Sequence, residues 1–374
     1  MQTATVQDRE AFLRVTNDLD AYLDLCAKAH RKNPAHRDTL VQNAAALGYL
    51  GRGDEKIALL DQWLDHSPND LLANVNRGLE LLMQGRYQEA AAHYHYRKHM
   101  PGAVAQPPNM GSERIWKDQS LDGRNIILLN EQGMGDTIQF VRFAAGLRDQ
   151  YRANPILNVQ EPLRPLFAGS PALPQVLFAG QPVQAHYWIY LGDLLPRFCP
   201  TLDNVTFPGA YIAPPALPDP PKFPRTGKLR VGLAWRGNTI HGLDAFRSAS
   251  LEGLATLRSA GGCEFYALTP NAGAEIAEAG GWVTDLSDIS QPFERLAQVI
   301  AHMDVVVSVC TSAAHLAAAM GKPVILLLSV IADWRWGRNR DTTPWYPSMR
   351  LLRQRKLGDW SELAERAVVR LETL

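Results

Sequence analysis

The sequence carries no surplus charge of either sign. Its 374 residues hold 38 Lys and Arg against 38 Asp and Glu. That balance argues against nucleic-acid and other polyanion binders, which carry a basic excess. Cysteine is scarce. Cys26, Cys199, Cys263 and Cys310 lie far apart and no two form a CxxC pair, so neither a disulfide framework nor a cysteine zinc site is expected. Long apolar runs are missing too. The most apolar stretch, Pro323 to Ala332, falls short of the roughly 20 residues needed to span a bilayer. The first residues lack the apolar core of a signal peptide. Incidental thiols and no leader together give the expectation of a cytoplasmic protein. Walker, HExxH and G-x-S-x-G motifs are also absent. His93, His95 and His99 share one helical stretch, and Cys26 and His30 stand at i, i+4. Neither set has acidic or cysteine partners, so no metal is expected.

What is present is ordinary in bulk: 46% hydrophobic and 20% charged residues, enough for two or three domains with their own cores. Residues 1–105 read as helices throughout. Pro34, Pro68 and Pro101 recur at intervals of 34 and 33, and Tyr49, Gly53 and Ala58 align with Leu81, Gly85 and Ala90 at a constant offset of 32. Each unit has an apolar helix, a glycine turn and a second helix, with Ala58 or Ala90 at the expected crossing. This resembles the tetratricopeptide repeat, whose period is about 34 residues. The usual Trp of the first helix is absent. Two good units stand beside a degenerate one around Leu13–Lys32. Such arrays bind peptides or partner proteins on a concave face.

From Asn125 onward short apolar runs alternate with helical patterns. The runs are Asn125–Asn130, Pro155–Gln160, Arg230–Trp235, Glu264–Leu268, Asp304–Val309 and Pro323–Leu328. Helical patterns follow at Thr137–Gln150 and Ala313–Met320. This alternation predicts a doubly wound α/β architecture with parallel strands. Residues 214–225 are too rich in proline for a helix or central strand and read as a linker. The expected organisation is helical repeats over 1–105, a Rossmann-like domain over 106–213, the linker, a second Rossmann-like domain over 226–352, and a C-terminal segment over 353–374. That last segment holds an amphipathic helix with Asp359 or Ser361 at its start.

Four segments carry candidate chemistry. Glu131 to Thr137 follows a strand and opens a helix. There Gly133 and Gly135 let backbone approach a ligand, and the helix N-terminus offers free N–H groups. A dinucleotide fingerprint would need a third glycine where Ile138 stands. Val309 to His315 has the same placement. Thr311 and Ser312 can cap the helix or meet phosphate oxygens, and His315 lies one turn in. Arg236 and Asn238, with His241, Asp244 and Arg247 downstream, lie beyond a strand's C-terminal end, where ligands bind in open α/β sheets. Arg236 and Arg247 are able to neutralise a diphosphate. Finally, Asp333 to Tyr346 contains Trp334, Trp336, Trp345 and Tyr346, either a platform for a base or sugar or a hydrophobic plug.

Three of these segments, Asn130–Phe143, Val231–Leu254 and Asp304–Gln354, occur in the order found in a known group. The chain resembles bacterial tetratricopeptide proteins with a two-Rossmann glycosyltransferase region of GT-B type, related to the ADP-heptose:lipopolysaccharide heptosyltransferases. The resemblance implies a catalytic base at Asp136 and a donor-binding turn at Thr311, Ser312 and His315. It also implies a terminal helix that packs back on the first Rossmann domain. One departure is Cys310, where the family usually carries Asp. His241 stands where the family has a basic residue.

The expected function is therefore transfer of a sugar from a nucleotide-sugar donor, with inversion and without metal or other cofactor. The donor would be bound by Gly133, Gly135, Arg236, Asn238, Arg247, Thr311, Ser312 and His315, with its diphosphate against the second domain's helix N-terminus and Arg247. The repeats point to a protein or peptide acceptor. Transfer to lipopolysaccharide or another glycan is an alternative, as is a non-catalytic scaffold. A nucleotide-dependent oxidoreductase would need Glu161 as its ribose ligand, 28 positions beyond Gly133 rather than the usual 20 or so.

Overall fold

The structure is a computed structural model. It describes residues 11, 13, 16–101, 107, 110–178, 181, 184–223, 226–239, 242–286 and 292–374. The boundary expected at 105/106 lies outside the described residues.

Among the described residues, the fold opens with a series of helices that includes α1 (Leu19–Lys32), α2 (Arg37–Tyr49), α3 (Gly53–His66), α4 (Leu71–Met83) and α5 (Tyr87–Tyr94). Each packs against its neighbours in order. Helices α1, α3 and α5 start 34 residues apart (53 − 19 and 87 − 53), and α2 and α4 do the same (71 − 37). The turns explain the period. Gly51 and Gly85 have φ of 74° and 76°, the left-handed conformation that glycine adopts without penalty. The next residue closes each turn, Arg52 N donating to Leu47 O and Arg86 N to Leu81 O, both at 2.9 Å. That is the Schellman arrangement for satisfying orphan carbonyls at a helix end. An Arg–Glu ion pair follows both times, Arg52 with Glu55 and Arg86 with Glu89.

This corrects the alignment at offset 32. The turn glycine equivalent to Gly85 is Gly51, not Gly53, and the residue opposite Ala90 is Lys56. Ala58 is exposed, whereas Ala90 is buried. Two glycines stand two residues apart, and only Gly51 takes the positive φ.

The first α/β unit follows: β1 (Asn125–Leu129), α6 (Met134–Phe140), α7 (Phe143–Tyr151), β2 (Asn154–Asn158), α8 (Arg164–Ala168), β3 (Tyr187–Tyr190) and α9 (Leu195–Phe198). Its sheet is parallel, in the order β2-β1-β3. The second unit has β4 (Leu229–Ala234), α10 (Asp244–Arg247), β5 (Cys263–Ala267), α11 (Gly273–Glu278), β6 (Val283–Thr284), α12 (Phe293–Ala301), β7 (Val305–Val309), α13 (Ser312–Ala319), β8 (Val324–Leu328), β9 (Met349–Arg353) and α14 (Trp360–Leu371). Its six parallel strands run β6-β5-β4-β7-β8-β9. The order reverses between β4 and β7, the switch point outside which open α/β sheets bind ligands. Buried runs such as Val305–Val309 and Val324–Leu328 are apolar because helices cover both faces. Residues 214–223 form no helix or strand.

Two further expectations change. The helix expected over Thr137–Gln150 is broken after Phe140. Arg142 turns inward there, its Nη1 donating to Trp345 O at 2.7 Å and its Nη2 to Tyr211 OH at 3.0 Å. The terminal helix α14 does not pack back on the first unit. Leu363, Ala364, Ala367 and Leu371 are buried with Val231, Leu233, Leu254 and Leu257, so this amphipathic helix completes the cover of the second sheet. Its cap is Asp359, which accepts from Glu362 N at 3.1 Å.

One apolar cluster joins the three parts. It contains Leu81, Tyr87 and Tyr94 of the array, Ile126, Ile138 and Phe140 of the first unit, and Val306, Trp334, Trp345 and Tyr346 of the second. A buried ion pair adds to it. Glu80 on α4, 1% exposed, accepts from Arg338 Nη1 at 2.5 Å and Nη2 at 3.0 Å, with Lys56 at 3.5 Å. Burial pushes the Glu80 carboxyl up, but Arg338 and Lys56 outweigh it and hold it below its ordinary value. Arg338→Met removes one of the two cations and is expected to destabilise the protein by about 3 kcal/mol, the low end for breaking a buried pair, as read by denaturant unfolding. Because the Glu80 pKa is depressed in the folded state, its contribution is complete above the unfolded value of about 4.3. It is lost as pH falls through the lower folded value.

Candidate functional site

The turn after β1 is fixed largely from outside its own unit. Gln132 takes a left-handed φ of 58° and its Nε2 donates to Tyr94 OH at 2.7 Å. Glu131 receives a fork from Arg97 at 2.6 and 2.7 Å, and Gly192 N donates to its Oε1 at 2.9 Å. Tyr94 closes α5 and Arg97 lies three residues beyond, so the helical array grips the turn that carries Gly133, Gly135 and Asp136.

Gly133 stands at the N-cap of α6 and its N–H donates to Asp136 Oδ2 at 2.7 Å. Asp136 is thus a capping residue of its own helix. Its Oδ1 forms an ion pair with Arg335 Nη2 from the second unit, and the side chain stays 18% exposed. Burial raises the Asp136 pKa and Asp333 adds to the rise, against the pull of Arg335 and of backbone N–H groups.

Helix α6 packs on α13. A Cβ on Gly135 would stand 2.9 Å from His315 Cδ2, so the absence of a side chain lets the His315 ring lie against this turn. His315 is 5% exposed. Its Nδ1 is 3.0 Å from Tyr346 OH, and its ring lies 5.3 Å from that of Trp336. Burial, with Arg335 nearby, brings its pKa down to about 3, so the imidazole is neutral in ordinary buffers. Thr311 occupies the N-cap of α13 without a side-chain cap bond. Its hydroxyl is instead 3.0 Å from Ser308 Oγ. Ser312 opens the helix, half-buried. Cys310, one residue earlier, receives a hydrogen bond from Trp336 Nε1 at 3.2 Å. Burial and the Asp333 charge push its thiol up to about 11.

The β4 side of the switch point is less converged. Arg247 is held by Asp244 Oδ1 at 3.1 Å and lies within electrostatic reach of Cys310. Gly237 makes room for it, since a Cβ there would meet Arg247 Nη2 at 2.7 Å. Arg236 is tied to the loop after β5, donating to Pro270 O at 2.9 Å and Asn271 O at 3.0 Å, and is not brought to Asp136. Asn238 is exposed and its carbonyl accepts from Arg247 at 3.4 Å. His241 lies outside the described residues.

The tryptophan-rich loop is a plug. Trp334, Trp336, Trp345 and Tyr346 are buried, and Trp334 and Trp345 pack on Phe140 and Tyr87. None is left as an open stacking platform. The loop's polar residues are the ones that reach the site. Arg335 and Asp333 flank Asp136, whereas in the sequence the segment stands out for its aromatics. The alternation Asp-Trp-Arg-Trp was the available signal, since charged residues between buried tryptophans need partners. Among the described residues, no group of three His, Cys, Asp or Glu is placed to hold a metal, and no helix is long and apolar enough to cross a membrane. A separate cavity of about 450 Å³ lies between α5 and the first unit, lined in part by Tyr94, Arg97, Lys98, Trp116, Asp193 and Arg197. Three of its cations are ion-paired: Arg97 and Lys98 with Asp193, Arg197 with Asp118.

Residues 291–363 match the model of glycosyltransferase family 9 (heptosyltransferase). That span runs through the Thr311–His315 turn and the Asp333–Arg340 loop. The glycosyl transferase family 9 structure from Veillonella parvula superposes with a TM-score of 0.50, covering 68% of this chain and 99% of that one at 10% identity. The two α/β units thus share a GT-B-type α/β fold with that structure. The ADP-heptose lps heptosyltransferase II of E. coli is also similar, with a TM-score of 0.45 and 12% identity over 67% of this chain and all of that one. In sequence, the protein FlbA of Caulobacter vibrioides is 24% identical over 340 residues, 82% of this chain. The chain spans about half the length (56%) of that curated relative.

Two outcomes follow from the α6–α13 contact. Gly135→Ala is expected to force the helices apart at a cost of about 1–3 kcal/mol, typical of overpacking, seen as a lower melting temperature. The His315 ring resonances are expected to show no titration above about pH 4 in an NMR pH series, in keeping with a pKa of about 3.

Proposed function

We propose that this chain moves a sugar from a nucleotide-sugar donor to an acceptor hydroxyl, bound where α6 of the first unit meets the N-terminus of α13 in the second. The observation that carries this reading is the convergence of Asp136, Gly135 and His315 beside the β4/β7 switch point of a family 9 fold. The donor diphosphate lies against the start of α13, at Thr311 and Ser312, with Arg247 alongside. Free N–H groups and the helix dipole stabilise the leaving charge there without a metal ion. Asp136 accepts the proton of the acceptor hydroxyl as that oxygen bonds to the sugar's anomeric carbon. The bond to the diphosphate breaks on the opposite face, which inverts the configuration. The neutral His315 acts as a packed wall and hydrogen-bond partner, not as a charge. Gly133 and Gly135 keep the turn close to the donor. Arg236 and Asn238 are the weakest members of the proposed donor set, since Arg236 already has partners.

The acceptor in this reading is a protein or peptide. Its support is the 34-residue helical period, which we read as a tetratricopeptide-type array, and the grip of those helices on the Asp136 turn through Tyr94 and Arg97. A glycan or lipopolysaccharide acceptor is the alternative that intact-mass analysis decides. A co-expressed protein acceptor gains the mass of one sugar under the main reading and none under the alternative. A scaffold without turnover also has an observation in its favour, because Asp136 is already capped and ion-paired and Cys310 occupies the turn.

Thermal melting with a panel of nucleoside diphosphates, nucleotide sugars and NAD separates these readings. Stabilisation by a nucleoside diphosphate is the expected result, and no shift with any nucleotide favours the scaffold. Asp136→Asn is expected to keep that stabilisation while transfer falls by at least 100-fold, the lower range for loss of a general base. Undiminished transfer in this variant removes Asp136 from the role.

A further inference from the structure

Among the described residues, Arg335 is the one residue of the second unit that bonds to the Asp136 carboxylate. Its side chain is 5% exposed, and three of its nitrogens are engaged at once. Nη2 pairs with Asp136 Oδ1, Nη1 donates to Asp333 Oδ1 at 2.8 Å, and Nε donates to Gln139 Oε1 at 2.5 Å. The guanidinium also lies over two rings, 4.4 Å from the centroid of Trp334 and 5.3 Å from that of Phe140. A planar fork held on three edges and packed on aromatic rings has little freedom to follow a ligand. Its contact with the chemistry runs through Asp136. With Gly133 N on Oδ2 and Arg335 on Oδ1, the carboxylate is held by both α/β units.

We propose that Arg335 is the positioning residue for Asp136: from the opposite unit it orients the carboxylate and sets how readily that carboxylate takes up a proton. This rests on the reading of Asp136 as the base. The groups facing Asp136 decide the sign. Arg335 favours the charged form, and Asp333, from the same loop, disfavours it. Tyr94 of α5 is within electrostatic reach. His315 of α13 lies against Gly135 and is neutral. Gln139, on the same helix as Asp136, is uncharged and tethers Arg335. Removing the cation therefore raises the Asp136 pKa. Removing the Asp333 charge lowers it, by deleting a repulsion and freeing the guanidinium for Asp136.

The test reads Asp136 directly in the full chain. Protein carrying ¹³C at aspartate Cγ is titrated by NMR, and the Asp136 signal is assigned by its loss in Asp136→Asn. Arg335→Gln is expected to move the midpoint up by about one pH unit or more, the effect of losing an opposite charge in contact. Asp333→Asn is expected to move it down, and Arg335→Lys to fall between wild type and Arg335→Gln. A midpoint unmoved in a folded Arg335→Gln, or shifts of the same sign in Arg335→Gln and Asp333→Asn, overturns the proposal. If Arg335→Gln does not fold, Asp333→Asn and Arg335→Lys decide, and the absence of a shift in both is equally fatal. The outcome is separable from the role of Asp136 as base. Transfer retained in Asp136→Asn defeats that role, while the titrations report on Arg335 whether or not it stands.

Discussion

A hydrogen atom where a side chain would otherwise be, at Gly135, sets the distance between the two α/β units. His315 fills the space, and α6 and α13 can then meet near their N-termini. Two helix starts facing each other bring two positive dipole ends together. The carboxylates of Asp136 and Asp333 and the guanidinium of Arg335 are arranged around that junction. Much of the site's chemistry answers this constraint. The imidazole is held neutral, Cys310 is held as a thiol, and Asp136 keeps both cap and counter-ion.

The helical array contributes more than a surface. Tyr94 and Arg97 hold the turn that presents Asp136, and Glu80 holds Arg338 at the far end of the loop that carries Arg335. The array thus supports both the Asp136 turn and the Arg335 loop. The supports are of two kinds, apolar packing around Tyr87 and buried ion pairs. Ion pairs of that sort add little net stability but are costly to break singly, so they favour one arrangement over its near alternatives.

Much of the architecture was legible in the sequence. Strands such as Asn125–Leu129, Val305–Val309 and Val324–Leu328 are buried on both faces, and continuous apolar runs mark such strands clearly. Tyr187–Tyr190 and Met349–Arg353 were missed, since four residues with two tyrosines, or five with two arginines, resemble loop as much as strand. The 34-residue period was half legible. Proline spacing pointed to it, but only backbone φ distinguishes Gly51 from Gly53. The terminal helix was misplaced because its apolar stripe says that a partner exists and not which one. Thr311 and His315 could be singled out because their turn lies just past a strand, where periodicity ends, whereas Asp136 stood out through the family resemblance alone. Arg335 could not, because its role depends on a contact with a residue 199 positions away, and no local pattern encodes that.

The apolar cluster that runs through all three parts has a consequence for inheritance. Tyr87 belongs to the array, yet its ring rests on Trp334 and Trp345 of the second unit. A change in the shape of either partner is felt by the other, so the two surfaces must drift together. An array held in this way is not an exchangeable cassette. Grafting the helices of another protein onto these two α/β units would require recutting the faces of α4 and α5 first.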